Sequence, residues 1–381
     1  MNVSFDVYLN IDMKDNTIGV FFTLLRVGLW EQAGVYLNDK VDWKKVNQLA
    51  EEQSVLGVVL AGIEHSNMKP PQELLLQWIG EVQMLEQQNK AMNQFIAELI
   101  EKMRKADIYT LLVKGQGIAQ CYEKPMWRSS GDIDLYLSDT NFAKAKAFFR
   151  PLVESYDPDN ESAQHINMHY GEWVVEIHAN QHCAISARVN RIMDDIHRDL
   201  FYNGNIRSWL DGKTQIFLPS PDDDVIIVFT HFLNHFYLGG LGVRQICDWC
   251  RLLYTYRESL NYGLLESRIR EMGLMNVWKA FAAFAVEYLG MPEEAMPFYS
   301  SDKKWKRKAD GICSFILEVG NFGHNRDSSY YEKYPRMIRK AVSMGRRLGD
   351  LLRHARLFPI ETLRFIPGTL VYGVVAVVKG N

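Results

Sequence analysis

Residues 111–137 read L-L-V-K-G-Q-G-I-A-Q-C-Y-E-K-P-M-W-R-S-S-G-D-I-D-L-Y-L, a glycine turn followed by a β-rich run that carries two acids. In G-D-I-D-L-Y-L, Asp132 and Asp134 are two residues apart. Successive side chains on a strand point to opposite faces, so both carboxylates share one face while Ile133 and Leu135 take the other. Two acids held this close repel unless a cation lies between them. An all-oxygen pair suits magnesium, which takes one or two protein carboxylates and completes its octahedron with water and substrate phosphate. A triphosphate substrate follows from that chemistry; the bland alternative is a half-exposed edge strand whose acids face water. Upstream, V-K-G-Q-G-I-A reads as the end of a strand turning through Gly115 and Gly117 into a helix that begins near Ile118. Glycines allow close backbone approach and free helical N–H groups attract anions, with Lys114 adding a point charge. The lysine precedes the glycine instead of closing a G-x-x-x-x-G-K-[ST] loop, so this is not a Walker motif. Arg128 either offers its planar fork to phosphate or is a surface arginine beside Trp127.

Further along, H-I-N-M-H-Y (165–170) and W-V-V-E-I-H (173–178) flank Gly171-Glu172, a two-residue link with glycine first that suits a type II′ hairpin. The register follows: Tyr170 opposite Trp173, His169 opposite Val174, Met168 opposite Val175, Asn167 opposite Glu176, Ile166 opposite Ile177 and His165 opposite His178. One face then carries Ile166, Met168, Tyr170, Trp173, Val175 and Ile177 and must be core. The other gathers His165, Asn167, His169, Glu176 and His178 around Val174. Antiparallel sheets often expose one face to water, which would explain those polar residues. If the hairpin instead lies beside the Asp132–Asp134 strand, Glu176 becomes a third carboxylate of a metal site.

Outside this region the texture is helical. Residues 16 to about 107 show helical spacing, with a long segment from Pro71 to Lys105; β-rich runs occupy Ile108–Val113, Asp132–Leu137, His165–Tyr170 and Trp173–His178. From Ser220 the helical period returns, with Ser220 as N-cap, Pro221 at the first helical position and Asp223 three residues after the cap. The expected class is α+β, a small mixed sheet between helical N-terminal and C-terminal regions, divided as 1–107, 108–215 and 216–381. A chain of 381 residues has a prior of roughly two to three domains. With 47% hydrophobic and 23% charged residues it can bury large cores and is not a disordered tail.

The 43 lysines and arginines against 46 acids give a net charge of −3, so no global positive field holds a nucleic acid, and polynucleotide binding is not favoured. The basic runs K-K-W-K-R-K (303–308) and M-G-R-R-L-G-D-L-L-R-H-A-R (344–356) read mostly as solvated helix faces. Five scattered cysteines and a start without a basic then apolar export signal point to a cytoplasmic home. Cys247 and Cys250 form one C-x-x-C without a second pair and read as helix cysteines. The apolar stretch Ile366–Val378 falls short of the twenty or so residues a spanning helix needs and is broken by Pro367, Gly368 and Gly373, so no transmembrane segment is expected.

On the later helices, His231 and His235 are four apart in H-F-L-N-H, a spacing that can bind zinc but lacks the glutamate of H-E-x-x-H; a polar helix face against a cleft is the better reading. Arg244 and Asp248, also four apart, read as an exposed ion pair or as contacts to a ligand.

A strand and glycine turn, a helix, D-x-D on the next strand and another acid on a later strand resemble the nucleotidyltransferase fold shared with DNA polymerase β and aminoglycoside nucleotidyltransferases. More narrowly, L-L-V-K-G-Q-G with R-S-S-G-D-I-D-L-Y-L, followed by V-E-I-H, H-F-L-N-H and R-Q-I-C-D-W, resembles a bacterial family of uncharacterised nucleotidyltransferases over roughly residues 40 to 260. Gly115-Gln116 stands where the fold usually has glycine followed by serine or glycine, and Glu176 where aspartate is commoner. The resemblance implies that Asp132, Asp134 and Glu176 bind catalytic Mg²⁺ or Mn²⁺. It also implies that Lys114, Gly115, Gln116, Gly117 and Arg128 hold the nucleotide phosphates. His178, Asn167, His231, His235, Arg244 and Asp248 become candidates for acceptor or cleft contacts. The implied reaction moves a nucleoside monophosphate from an NTP to a hydroxyl of a small molecule, protein or RNA, with pyrophosphate released. A catalytically silent nucleotide-binding or interaction module on the same fold is the alternative, and a zinc hydrolase using His231 and His235 is a third.

Overall fold

A computed structural model describes residues 16–31, 41–156, 164–323, 325 and 336–366. The segments around the two acids build a mixed sheet from β1 (Leu111–Val113), β2 (Ile133–Tyr136), β3 (Ser155–Tyr156), β4 (His165–Tyr170) and β5 (Trp173–His178), in the order β1-β2-β5-β4-β3. The β2–β5 pair is parallel and the other pairs are antiparallel. The β4–β5 hairpin has the register expected from its sequence, His165 opposite His178 through Tyr170 opposite Trp173, and Gly171 takes φ +61° at the turn, where a side chain would be strained. A separate two-stranded ladder, β6 (Ile206–Asp211) with β7 (Thr214–Pro219), packs beside β1.

Helices surround the sheet. The N-terminal set is α1 (Asn16–Trp30), α2 (Trp43–Glu52), α3 (Leu56–Glu64) and α4 (Gln72–Lys105); α5 (Gly115–Ala119) and α6 (Asp139–Phe149) lie among the strands. Then come α7 (Ala187–Tyr202), α8 (Pro221–Leu238), α9 (Val243–Tyr256), α10 (Tyr262–Met272), α11 (Met275–Glu287), α12 (Lys303–Val319) and α13 (Arg336–Leu357). The architecture is therefore α+β with helical regions on both sides of the sheet. The 34 residues of α4 span about 51 Å at 1.5 Å per residue and join two cores. Its Trp78 and Val82 pack with α1–α3 and the C-terminal helices, whereas Met92, Ile96, Leu99 and Met103 lie under Ile133, Leu135, Ile166, Met168, Val175 and Ile177 of the sheet. That leaves the opposite sheet face, bearing Asp134, Glu176 and His178, turned toward α8.

Two expectations shift. The helix after the glycine turn begins at Gly115, not near Ile118, because Lys114 adopts φ +57° and ψ −146° and redirects the chain at once. The strand expected over Ile108–Val113 shortens to Leu111–Val113, with Ile108 buried in the core just beyond the end of α4. At α8 the expected start holds: Pro221 is the first helical residue and Ser220 Oγ accepts from Asp223 N at 3.3 Å. No described helix is long and apolar enough to cross a membrane. The N-terminal segment expected to carry no export signal, and the apolar stretch beyond Ile366, lie outside the described residues.

Candidate active site

The parallel pairing of β2 with β5 sets Asp134 directly beside Glu176, and Asp132 reaches the same patch from just before β2. One carboxylate oxygen from each of the three lies within 4.8 Å of the others. Asp134 is buried, Glu176 half-buried and Asp132 exposed.

The patch supplies part of its own counter-charge. Lys114 Nζ is 2.6 Å from Asp134 Oδ1, and His178 Nε2 is 3.0 Å from the same oxygen and 3.5 Å from Glu176 Oε2. His165 Nε2 approaches Glu176 Oε2 to 3.1 Å, and its ring stacks on His178 with centroids 4.4 Å apart and planes 8° from parallel. Burial would raise the Asp134 and Glu176 carboxyls, yet Lys114 and His178 hold the first low, and His165 and His178 hold the second well below the usual carboxylate range. Burial likewise opposes charge on Lys114 and His178, and the facing carboxylates outweigh it, raising both. Asp132 is the exception. The Asp134 charge first, and the partial loss of water inside the cleft it lines second, push its carboxyl up. Three acids against two cations leave a deficit of positive charge beside Asp132. An all-oxygen donor set with that deficit fits a hard divalent cation of the Mg²⁺ or Mn²⁺ kind, at a spacing one ion can bridge with small side-chain adjustment.

These groups open into a cleft of about 1140 Å³. Its far wall comes from α8 and α9. His231 Nδ1 is 3.4 Å from Lys114 Nζ, and His235 Nε2 is 3.1 Å from His231 Nε2. Burial, then the Lys114 charge, keeps His231 well below its ordinary value and pushes His235 down to about 4, so both rings are neutral. Their spacing is that of a polar face on the cleft. Among the described residues the clusters suited to a metal are Asp132/Asp134/Glu176 and His165/Glu176/His178, so the pair on α8 finds no third ligand for a zinc site.

Arg128 and Asp248 pair with each other, a contact that no sequence reading of either residue anticipated. Arg128 is 4% exposed and not a surface arginine: its Nε and Nη2 donate to the two Asp248 carboxylate oxygens at 2.8 and 2.7 Å. Tyr122 Oη donates to the same carboxylate at 2.8 Å. Asp248 is thus paired with a residue 120 positions away and not with Arg244, and the expected exposed i, i+4 pair is absent. Arg244 instead donates from Nη1 to the Ser129 carbonyl at 2.6 Å and lines the cleft. Lys114, Gly115, Arg128, His178, His231, His235, Arg244 and Asp248 all border the cleft, whereas Gln116, Gly117 and Asn167 do not. Gln116 is buried and donates to Asn89 Oδ1 at 3.0 Å; a Cβ on Gly117 would meet Leu218 at 2.8 Å; Asn167 sits opposite Glu176 with Oδ1 buried and unpartnered. His165 was placed on the polar sheet face by its register but not read as a site residue, although that register already set it against His178. Arg364, which also borders the cleft, carries no sequence signal.

A carboxylate trio on adjacent strands, backed by a lysine and facing a polar cleft, is the arrangement of a candidate metal-assisted group-transfer site. The chain belongs to the family described as uncharacterised nucleotidyltransferases, whose sequence model matches residues 39–290, from just before α2 to just past α11 and including every strand. No curated protein matches the chain, and no solved structure does.

Proposed function

We propose that the protein is a divalent-metal-dependent nucleotidyltransferase of the DNA polymerase β-like superfamily, transferring a nucleoside monophosphate from an NTP to a hydroxyl acceptor with release of pyrophosphate. The observation that carries this reading is the meeting of Asp132, Asp134 and Glu176 within 4.8 Å at one end of the cleft, in a chain of the nucleotidyltransferase family. In this reading the three carboxylates hold Mg²⁺ or Mn²⁺. When bound, such an ion would supply positive charge against the phosphates of an in-line displacement. The chain's own residues supply the rest. Glu176, kept ionised by His165 and His178, orients the attacking hydroxyl. Lys114 and Gly115 face the phosphates across the turn after β1, while Gln116 and Gly117 shape that turn from behind. His178, His231 and His235 line the acceptor side. We take residues 108–215 as the catalytic core, with β7 running four residues past its end to Pro219, and 1–107 and 216–381 as otherwise helical flanks.

Pyrophosphate release measured with each of the four ribonucleoside triphosphates, Mg²⁺ or Mn²⁺, and small-molecule, protein and RNA acceptors tests the reading. Asp134→Asn should abolish release; unchanged turnover in that variant removes the acids from the mechanism. One observation favours a second reading, a nucleotide-binding module without catalysis: the Lys114 ammonium already sits 2.6 Å from Asp134. Triphosphate binding without pyrophosphate release under any of these conditions would select it.

A further inference from the structure

Arginines buried in proteins are nearly always paired, because a charge taken out of water without a partner is costly. Arg244, half-buried at the cleft wall, has no such partner among the described residues. It lies on the first turn of α9 and borders the cleft, and no carboxylate among the described residues comes within ion-pair distance of its guanidinium. The nearest acid on its own helix, Asp248, is already engaged by Arg128 and Tyr122. One donor, Nη1, is spent on the Ser129 carbonyl at 2.6 Å, and Nε is buried with no acceptor. Its neighbour Arg128 is a second cation. The result is a guanidinium beside a like charge, reached by the charges of Asp248 and Asp132 but in an ion pair with neither, on the same cleft as the acid trio.

We propose that Arg244 is a phosphate-binding residue of the cleft, acting with Lys114 and taking the role the sequence suggested for Arg128. The two arginines divide the work. Arg128 is consumed by Asp248 and shapes the loop, donating through Nη1 to the Ser129 carbonyl and Ser130 Oγ at 3.1 and 3.0 Å. Arg244 hangs from the same Ser129 carbonyl and keeps its remaining donors for an anion. The loop between the arginines and Asp132 thus links the anion site to the acids by three residues of chain. A phosphate there comes either from the NTP or from a phosphorylated acceptor. The proposal rests on the nucleotidyltransferase reading only for the choice between those two sources.

The test separates the two claims by measuring binding apart from turnover. Tripolyphosphate, without metal, is titrated into the full chain by calorimetry. Arg244→Ala should weaken its affinity by about tenfold to a hundredfold, as expected for losing hydrogen bonds to a charged group. Arg244→Lys should fall between, because it keeps the charge and loses the fork. Asp134→Asn should bind at least as well as the parent while losing transfer. Thermal melting of each variant checks folding; Arg244→Ala, which removes a cation from beside Arg128, should melt within a few degrees of the parent. In turnover, a KM increase for NTP in Arg244→Lys assigns the anion to the nucleotide, and a KM increase for the acceptor alone assigns it to a phosphorylated acceptor. Tripolyphosphate affinity unchanged in a folded Arg244→Ala protein overturns the proposal, whether or not transfer is observed. Arg244-dependent binding in a protein that releases no pyrophosphate sustains the anion site and sinks only the enzymatic reading.

Discussion

Replacing Asp248 with asparagine removes one charge from the most completely buried ion pair at the cleft. Arg128 and Asp248 are 4% and 6% exposed, and the carboxylate accepts from Arg128 Nε and Nη2 and from Tyr122 Oη, all between 2.7 and 2.8 Å. Asparagine keeps the shape and leaves a guanidinium sealed away from water without its counter-ion. Breaking one side of such a pair costs about 3–5 kcal/mol. With unfolding entropy near 2.1 cal/mol/K per residue, about 0.8 kcal/mol/K for a chain of 381 residues, the melting midpoint should fall by about 4–6 °C in scanning calorimetry. The double variant Arg128→Met with Asp248→Leu removes both charges and should recover most of that loss, since apolar replacement of a whole buried pair is often neutral or stabilising. A single variant that melts with the parent, or a double variant as unstable as the single, would refute the claim that pairing, and not mere packing, holds these residues.

Three further outcomes follow from the same geometry. His235 is held neutral to about pH 4, below its ordinary 6.5, so the unfolded chain binds the extra proton between those values and stability is lost as pH falls from 6.5 toward 4; His235→Gln should flatten that acid limb by up to about 3 kcal/mol in urea unfolding, and an unchanged slope refutes it. Gly62→Ala should cost about 1–3 kcal/mol or more, because α1 and α3 cross so closely that a Cβ there would lie 1.9 Å from the Leu24 carbonyl oxygen; a parent-like urea midpoint would contradict that packing. Lys114→Met should make stability metal-dependent, with the melting midpoint lower than the parent's in chelator and restored by millimolar Mg²⁺; equal responses in both proteins would show that Lys114 does not balance the acids.

Much of the site was legible because it depends on period-two alternation. D-x-D placed Asp132 and Asp134 together, and a glycine-first link fixed the β4–β5 register residue by residue, putting Glu176 and His178 on one face. What sequence could not supply was the neighbour of that hairpin: only the β2–β5 pairing sets Glu176 beside Asp134. Pairings between distant helical and loop residues were equally out of reach. Arg128 and Asp248 are 120 positions apart, and the i, i+4 rule offered Arg244 as the partner instead. The β6–β7 ladder carries the same kind of signal, the glycine-first link Gly212-Lys213 between alternating runs, and Gly212 takes φ +57°.

The conformation of Lys114 ties these threads together. A non-glycine residue at φ +57° carries a backbone cost of order 1–3 kcal/mol that persists only where surrounding structure enforces it. A glycine at this position would relieve the strain but would lose the ammonium that sits on Asp134 and faces His231. Gathering three carboxylates from two adjacent strands is costly, since each added charge raises the cost of the next, as the upward push on Asp132 records. A lysine on the turn between β1 and α5 supplies a cation that is present throughout folding and is held by the same strand that pairs with β2. The strain at Lys114 is therefore part of the cost of assembling the acid patch, in which Lys114 and His178 face Asp134 and Glu176 while Asp132 stays without a cation of its own among the described residues.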